Sequence, residues 1–238
     1  MPRREPPRQP PPVQRLRLCY TKLGVARFAS HRDFARAFER ALRRAGVPMA
    51  YSSGFSPHPR ISYANAAPTS AQSRAEYLEI ALAEVCDPQD LAGRLNAVLP
   101  EGFRVVKVIE ASKPSLGDLL EASWWRIDLG EPPIAGLAEA VDTLRAAESV
   151  QVTRHRAKGD RIFDARPAIL AIDVADQDEV MVMLRHQAPL VRPDDVVAAL
   201  RVMSPGLADD HPGLFTRECQ GPVHSDGTIG DPLAVSVL

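Results

Sequence analysis

Several features of familiar protein classes are missing from this chain of 238 residues. No stretch approaches the ~18 consecutive apolar residues that a membrane-spanning helix requires. The Arg- and Pro-rich N-terminus lacks the apolar core of a secretory signal. The three cysteines are far apart, odd in number and without the Cys-x-x-Cys spacing of a zinc site. Together these absences predict a cytoplasmic protein with reduced thiols, no metal site and no membrane partner.

The common catalytic motifs are missing as well. The sequence has no P-loop, no Gly-x-Gly-x-x-Gly turn after a strand, no His-Glu-x-x-His and no Gly-x-Ser-x-Gly. It also lacks the cysteine cluster of an iron–sulfur centre. ATP hydrolysis, dinucleotide redox chemistry and zinc hydrolysis therefore have no support, and no cofactor is predicted.

What the sequence does have is a local concentration of positive charge, although its formal net charge is only -1. Between Arg15 and Arg60, ten arginine and lysine residues stand against two acidic residues, a local balance of +8. The acidic residues accumulate later in the chain. A basic field of this kind favours a polyanionic partner despite the nearly neutral total.

Hydrophobic periodicity and turn residues predict an α+β protein with two domains. The boundaries are a disordered Pro/Arg-rich tail (1–12), a first domain (13–110), a connector (111–122), a second domain (123–203) and a loose C-terminal tail (204–238). The first domain follows the order strand, helix, strand, strand, helix, strand, which is the ferredoxin-like βαββαβ arrangement. The second domain again has strands with a helix near each end, and we predict a second, divergent ferredoxin-like unit.

The first predicted helix carries the basic residues on one face. Ser30 is a candidate N-cap and Asp33 a candidate capping-box carboxylate. At about 100° per residue, four arginines fall on the face opposite the apolar residues. They are Arg32, Arg36, Arg40 and Arg43. A solvated helix exterior explains charged residues in general, whereas their single sign favours phosphate binding by arginine's forked donors.

The segment 51–63 follows this helix and contains Gly54-Phe55-Ser56-Pro57-His58-Pro59-Arg60. Its prolines fix φ and remove backbone donors, which predicts a stiff, extended ribbon. Phe55 is a candidate for stacking on a nucleobase, although aromatics near strands are more often core. His58 and Arg60 are candidate catalytic residues, with His58 moving a proton and Arg60 stabilising charge. A lone histidine is more often incidental, and spacing fixes no second acid or base.

A second basic segment is predicted at the tip of a hairpin in the second domain. Its candidate nucleic-acid contacts are Arg154, Arg156 and Lys158. Charged residues are common at hairpin tips, so this motif is weak when taken alone.

Four stretches together resemble the radical-SAM-linked protein family, a bacterial family of unassigned biochemical function. They are Tyr20-Thr21-Lys22 to Phe28, Ser30-His31-Arg32-Asp33, Gly54 to Ser62, and Glu76-Tyr77-Leu78-Glu79. The resemblance covers about residues 15 to 200 and is strongest over 20 to 82. It implies partnership with a radical SAM protein and an RNA substrate, and it assigns no catalytic residue.

Three hypotheses of function remain open from the sequence. The leading one is an RNA-binding accessory protein that works with a radical SAM enzyme in RNA modification or processing. The alternative is a metal-free endoribonuclease or RNA-modifying enzyme that uses His58. At fold level the predicted arrangement is similar to that of CRISPR repeat-processing endoribonucleases, which says little about function. A further alternative is a protein–protein adaptor whose basic face docks on an acidic partner.

Overall fold

The structure of the protein is a computed structural model that describes residues 8–130, 135–155, 157, 159–205 and 213–234. These residues form two compact units. Unit 1 extends to Leu119 and includes the stretch 233–234, and unit 2 extends from Leu120 to Pro232. Each unit combines helices with antiparallel strands, which confirms the predicted α+β class. Residues 1–7 of the predicted N-terminal tail lie outside the described residues.

The elements of unit 1 follow the predicted order. They are β1 (Gln14–Lys22), α1 (His31–Arg44), β2 (Ile61–Ala64), β3 (Gln72–Leu82), α2 (Pro88–Asn96), β4 (Phe103–Glu110) and the single-turn α3 (Leu116–Leu119). The antiparallel sheet of this unit has the strand order β4-β1-β3-β2. Element order and strand order are together consistent with a ferredoxin-like unit.

Helix α1 begins at the predicted capping box. The backbone N–H of Asp33 donates to Ser30 Oγ, and the backbone N–H of Ser30 donates to Asp33 Oδ2, both at 3.2 Å. Phe34 stacks on Tyr20 of β1 with ring centroids 4.4 Å apart, and Phe38 is 1% exposed. Since full burial of an aromatic side chain contributes about 1.5–3 kcal/mol, these contacts hold α1 on the sheet and direct its arginines to solvent.

Arg17 lies on the face of β1 opposite Leu16 and Leu18, and it is buried as well. The alternation of apolar and polar residues along β1 does not predict this burial. Arg17 is 2% exposed. Its Nε donates to Glu79 Oε2 at 3.3 Å, and its Nη2 donates to the carbonyl oxygens of Ser112 and Pro114. The chain that follows β4 therefore contacts this face, and Arg17 anchors it there.

The elements of unit 2 are β5 (Ala122–Asp128), α4 (Leu137–Ala146), β6 (Gln151–Arg154), β7 (Arg161–Asp164), β8 (Ile169–Asp176), β9 (Glu179–Arg185), α5 (Pro193–Met203) and β10 (Leu214–Gly221). Its antiparallel sheet has the order β10-β5-β9-β8, while β6 and β7 form a separate hairpin. When that hairpin is treated as an insertion after α4, the remaining order is again βαββαβ. No helix in the described part of the chain is long and apolar enough to cross a membrane.

Strand β10 lies where the sequence predicts only a loose tail from residue 204, and that expectation is wrong for Leu214–Gly221. The strand pairs with β5 along its length. Phe215 is 8%, Arg217 3% and Gln220 0% exposed. Several of its buried positions are polar, so hydropathy gives no strand signal. The backbone pairing therefore supplies the last strand of the unit 2 sheet.

We predict that Phe215→Ala lowers the free energy of unfolding by about 3 kcal/mol, because truncation of a buried phenylalanine leaves a cavity. Phe55→Ala, at a side chain that is 76% exposed, should change it by less than about 0.5 kcal/mol. Urea unfolding followed by circular dichroism measures both. Equal, small effects would mean that β10 is not part of the packed unit.

Candidate functional site

The predicted arginine face is present on α1 and faces solvent. Arg32, Arg36, Arg40 and Arg43 are all exposed. Arg43 Nη1 lies 3.9 Å from Glu39 Oε2. Within the described part of the chain, the guanidinium groups of the other three make no hydrogen bond or ion pair. Three positively charged groups on one helix face are thus open to an external anion.

Asp33, the acidic residue in the first turn of α1, is bound to the helix N-terminus. The Ser30 hydroxyl donates to Asp33 Oδ2 at 2.6 Å, in addition to the backbone bonds of the capping box. Hydrogen bonds from the Ser30 side chain and backbone lower the pKa of Asp33, and the charges of Arg36 and Arg32 lower it further. Asp33 therefore stays ionised and accepts the hydrogen bonds of the helix cap. Its single negative charge neutralises only part of the positive charge of the four arginines.

The segment expected to be an extended ribbon folds back on itself as a hairpin. Tyr51 and Pro59 form an antiparallel bridge, and the Ser52 N–H donates to the His58 carbonyl at 2.9 Å. The His58 N–H in turn donates to Ser52 Oγ at 3.0 Å. We call residues 51–60 the excursion hairpin. Pro59 lies in the returning arm, where it pairs with Tyr51, and Pro57 lies just before that arm. The two prolines are therefore not part of one extended ribbon.

The excursion hairpin interrupts the edge strand beside β3. Met49 pairs with Leu82, and pairing with β3 resumes at Ile61 opposite Ile80. Between these points, the Ala81 carbonyl accepts from the Ala50 N–H at 2.8 Å, and the Ala81 N–H donates to the Arg60 carbonyl at 3.0 Å. One residue of β3 therefore holds both ends of the hairpin.

The candidate catalytic residues of this hairpin have no catalytic arrangement around them. His58 is exposed, and among the described residues its ring has no hydrogen-bond partner. Arg60 Nε donates to the Tyr51 carbonyl at 3.0 Å and so ties the two arms together. The geometry supplies no partner that would make His58 a general base.

The aromatic residues of the segment differ in their accessibility. Phe55 is 76% exposed at the hairpin tip. Tyr63, by contrast, packs edge-on against His31 with ring centroids 4.7 Å apart and against Phe34 at 6.0 Å. Burial raises the pKa of Tyr63, and the nearby charge of Glu39 raises it further. Tyr63 therefore belongs to the α1 contact, whereas Phe55 is the most exposed aromatic side chain of the segment.

The predicted basic hairpin of unit 2 is β6–β7, and its first arginine is occupied. Arg154 Nε donates to Asp195 Oδ1 at 3.0 Å, and its Nη2 donates to Asp195 Oδ2 and, at 2.8 Å, to the Leu190 carbonyl. Its guanidinium also lies over the Phe163 ring. This side chain links the hairpin to α5 and is not presented to solvent as a phosphate ligand. Arg156 and Lys158 lie outside the described residues.

A buried polar cluster that sequence reasoning missed lies where β1 ends and β3 begins. Lys22 is 5% exposed and Glu76 2%. Lys22 Nζ donates to the Pro68 carbonyl, and Glu76 Oε2 accepts from the Ala67 N–H, each at 3.0 Å. The pocket beside them is about 10 Å³, which is room for about one water molecule. The cluster therefore holds the loop before β3 in place. The sequence signal for it was the presence of charged residues, Lys22 and Glu76, at strand positions that face inward.

Unit 2 contains a serine–histidine pair that sequence reasoning also missed. His186 Nδ1 lies 2.7 Å from the Leu120 carbonyl and must donate to it, and Nε2 then accepts from Ser123 Oγ at 3.0 Å. Trp125 Nε1 donates to the same Ser123 oxygen at 2.7 Å. Ser123 is 1% exposed, so no substrate reaches it. The pair is a buried hydrogen-bond network, and burial lowers the pKa of His186 to about 4, with the charge of Arg217 also lowering it.

We predict that Arg154→Ala destabilises unit 2 by about 3 kcal/mol, since it leaves the Asp195 carboxylate buried without its partner. The control Arg161→Ala removes an exposed arginine of the same hairpin and should cost less than about 1 kcal/mol. Chemical unfolding of both variants measures the difference. Equal costs would show that the ion pair does not anchor the hairpin.

We predict that His186 makes the protein less stable as the pH falls from about 6.5 to about 4. The unfolded imidazole gains its proton near 6.5, whereas the folded one gains it near 4. The unfolded state therefore binds more protons in this window, and stability falls with decreasing pH by up to about 3 kcal/mol. His186→Gln should remove that part of the slope between pH 7.5 and 4.5 in urea unfolding. Parallel slopes for the two proteins would contradict the assignment.

Among the described residues, no three His, Cys, Asp or Glu side chains are grouped closely enough to hold a metal ion.

No curated protein matches the sequence significantly. A solved structure titled as that of an unknown protein from Galdieria sulphuraria is 16% identical to it. The match covers 81% of this chain and 92% of that one, with a TM-score of 0.25. A TM-score that low does not establish a shared fold.

A family model described as an uncharacterised protein conserved in bacteria (DUF2344) matches residues 15–193. The matched range includes α1, the excursion hairpin, the buried polar cluster and the serine–histidine pair. Since it spans well over half of the sequence, the chain belongs to this bacterial family.

Proposed function

We propose that the protein is an RNA-binding accessory protein that works with a radical SAM enzyme in the modification or processing of RNA. The observation that carries the RNA contact is the face of α1 on which Arg32, Arg36 and Arg40 are exposed and form no ion pair with any described residue. Arginine's planar fork of donors matches phosphate oxygens in bidentate geometry, and a row of such groups binds a phosphate backbone.

The charge around this face supports a polyanion over a small anion. Helix α1 carries five arginines against Asp33 and Glu39, a balance of +3, and these charges are spread along the helix rather than gathered in one pocket. A field of this extent attracts a chain of phosphates and makes binding strongly dependent on salt. The choice of RNA within this chemistry is supported by the resemblance of the motifs over residues 20 to 82.

The accessory role and the choice of a radical SAM enzyme as the partner are supported by different observations. Among the described residues, the His58 ring has no hydrogen-bond partner, and Ser123 is 1% exposed, so neither side chain supports an enzyme acting alone. The resemblance of Ser30-His31-Arg32-Asp33 and the excursion hairpin to the radical-SAM-linked family supports a radical SAM enzyme as the partner. In this proposal the protein binds the RNA and the partner performs the chemistry.

We predict that Arg32→Glu/Arg36→Glu weakens RNA binding by about tenfold or more at low salt, because hydrogen bonds to charged groups contribute about 1.5–3 kcal/mol each. The slope of log K against log salt should fall by about 1.4, since each lost phosphate contact releases ~0.7 fewer ions from a single strand. Glutamate in the first turns of a helix suits the helix dipole, so α1 should remain folded. Fluorescence anisotropy over a salt series measures affinity and slope together.

The matched control is Arg104→Glu, at an exposed arginine on β4 of the same unit. It changes the net charge in the same direction without touching α1. It should therefore reduce affinity only slightly through the overall field. If the unmutated protein has no affinity for RNA at low salt, or if Arg104→Glu lowers the slope as much per charge as the α1 variant does, the proposed interface is wrong.

A further inference from the structure

The tip of the excursion hairpin presents one large apolar side chain to solvent. Phe55 is 76% exposed, and its neighbours in the chain are serine, glycine and proline. No aromatic ring or guanidinium of the described residues stacks on it. Phe28, the other strongly exposed phenylalanine of unit 1, differs because the Arg27 guanidinium lies 4.6 Å from its ring centroid. Phe55 thus has an open ring face that its own unit does not use.

The hairpin that carries Phe55 is held at its base in a defined position. Its two arms are joined by the hydrogen bonds between Ser52 and His58 and by the bond from Arg60 Nε to the Tyr51 carbonyl. Both ends are fixed by hydrogen bonds to the backbone of Ala81 in β3. Since the base is already ordered, little backbone entropy is lost when the tip binds a partner.

The surroundings of the tip are basic. The backbone N–H of Gln9 donates to Ser53 Oγ at 3.0 Å, which brings the end of the Arg- and Pro-rich N-terminal segment against the hairpin. Arg8 is exposed there, and in the described chain it has no ion pair or hydrogen bond. No acidic residue occurs between Arg8 and Lys22 or between Tyr51 and Tyr63. An aromatic ring on a segment that carries arginine and no acidic residue is the combination found in single-strand binding surfaces.

The hairpin also lies within reach of the arginine face. Residues 45–50 connect the end of α1 to the hairpin base, and six residues span at most about 20 Å when fully extended. The hairpin base therefore lies within about 20 Å of the C-terminal end of α1.

We propose that the tip of the excursion hairpin binds an unpaired base of the RNA by stacking on Phe55, with Arg8 contacting the adjoining phosphates. This inference rests on the proposed RNA binding and adds the substrate class, which is single-stranded RNA or an unpaired loop or end. Bases in a duplex are stacked on one another and expose only their edges, so they offer no face to Phe55. The contact is tolerant of sequence, because every base has an aromatic face.

A protein partner is the competing occupant of the tip, and the observations favour RNA. Protein-docking sites gather several apolar side chains around a central anchor. Phe55 is flanked in sequence by Ser53, Gly54, Ser56 and Pro57 instead. The nearby charges are positive and come from Arg8 and Arg60, which complements a phosphate backbone.

The test compares a short unstructured single-stranded RNA with the blunt duplex formed with its complement. Fluorescence anisotropy is measured on the full-length protein and its variants. Phe55→Ala should weaken single-strand binding by about tenfold and leave duplex binding unchanged, since base–aromatic stacking contributes about 1–3 kcal/mol per base. Phe55→Trp should retain single-strand affinity. Phe28→Ala, at the exposed phenylalanine already covered by Arg27, should change neither.

The outcomes separate this inference from the proposed function. If the unmutated protein binds neither RNA, both fail. If it binds RNA and Phe55→Ala leaves single-strand affinity unchanged, or weakens single strand and duplex alike, only the base-stacking inference is overturned. It is also overturned if Phe55→Ala keeps single-strand affinity but loses a protein that co-purifies after nuclease treatment. An unchanged free energy of unfolding in Phe55→Ala ensures that a loss of binding is not a loss of fold.

Discussion

The backbone pairing of β3 is the constraint on which unit 1 depends. Its ladder with β1 places Leu78, Ile80 and Leu82 in the core with 0% exposure. The same strand, at Ala81, receives both ends of the excursion hairpin. Core and recognition element are thus joined by hydrogen bonds along one strand. A register slip would turn the apolar residues outward and detach the hairpin as well, because side chains alternate between the two faces of a sheet.

Local signals made much of the fold predictable. The Ser30 capping box and the order of strands and helices in unit 1 stand where the sequence places them. Each depends on neighbours a few residues apart. Strand β10 was missed because its buried positions include Arg217 and Gln220, whose burial depends on remote partners. The excursion hairpin was predicted wrongly as an extended ribbon for a related reason, because both of its ends are held by hydrogen bonds to Ala81, which is distant in sequence.

The arginines show why the candidate site was only partly predictable. Arg154 is paired with Asp195, 41 residues away, and Arg17 with Glu79, 62 residues away. Arg32 and Arg36 have no such partner in the described chain. All four are the same residue type in basic stretches, so composition assigns them the same role. Only the contacts distinguish arginines that stabilise the fold from arginines that are open to a ligand. The arginines on the exterior of a helix stay accessible because no strand that is distant in sequence covers them.

The interruption of the edge strand has a consequence for solubility. Edge strands with long unpaired backbones are sites where sheets of different molecules join and aggregate. Here β2 offers only 4 residues, and the hairpin departs from the sheet directly before them. A neighbouring molecule therefore finds too short a backbone ladder to extend, and the bulky protrusion obstructs its approach. Shortening this hairpin would thus create a continuous edge and a tendency to self-association, whatever its effect on ligand binding.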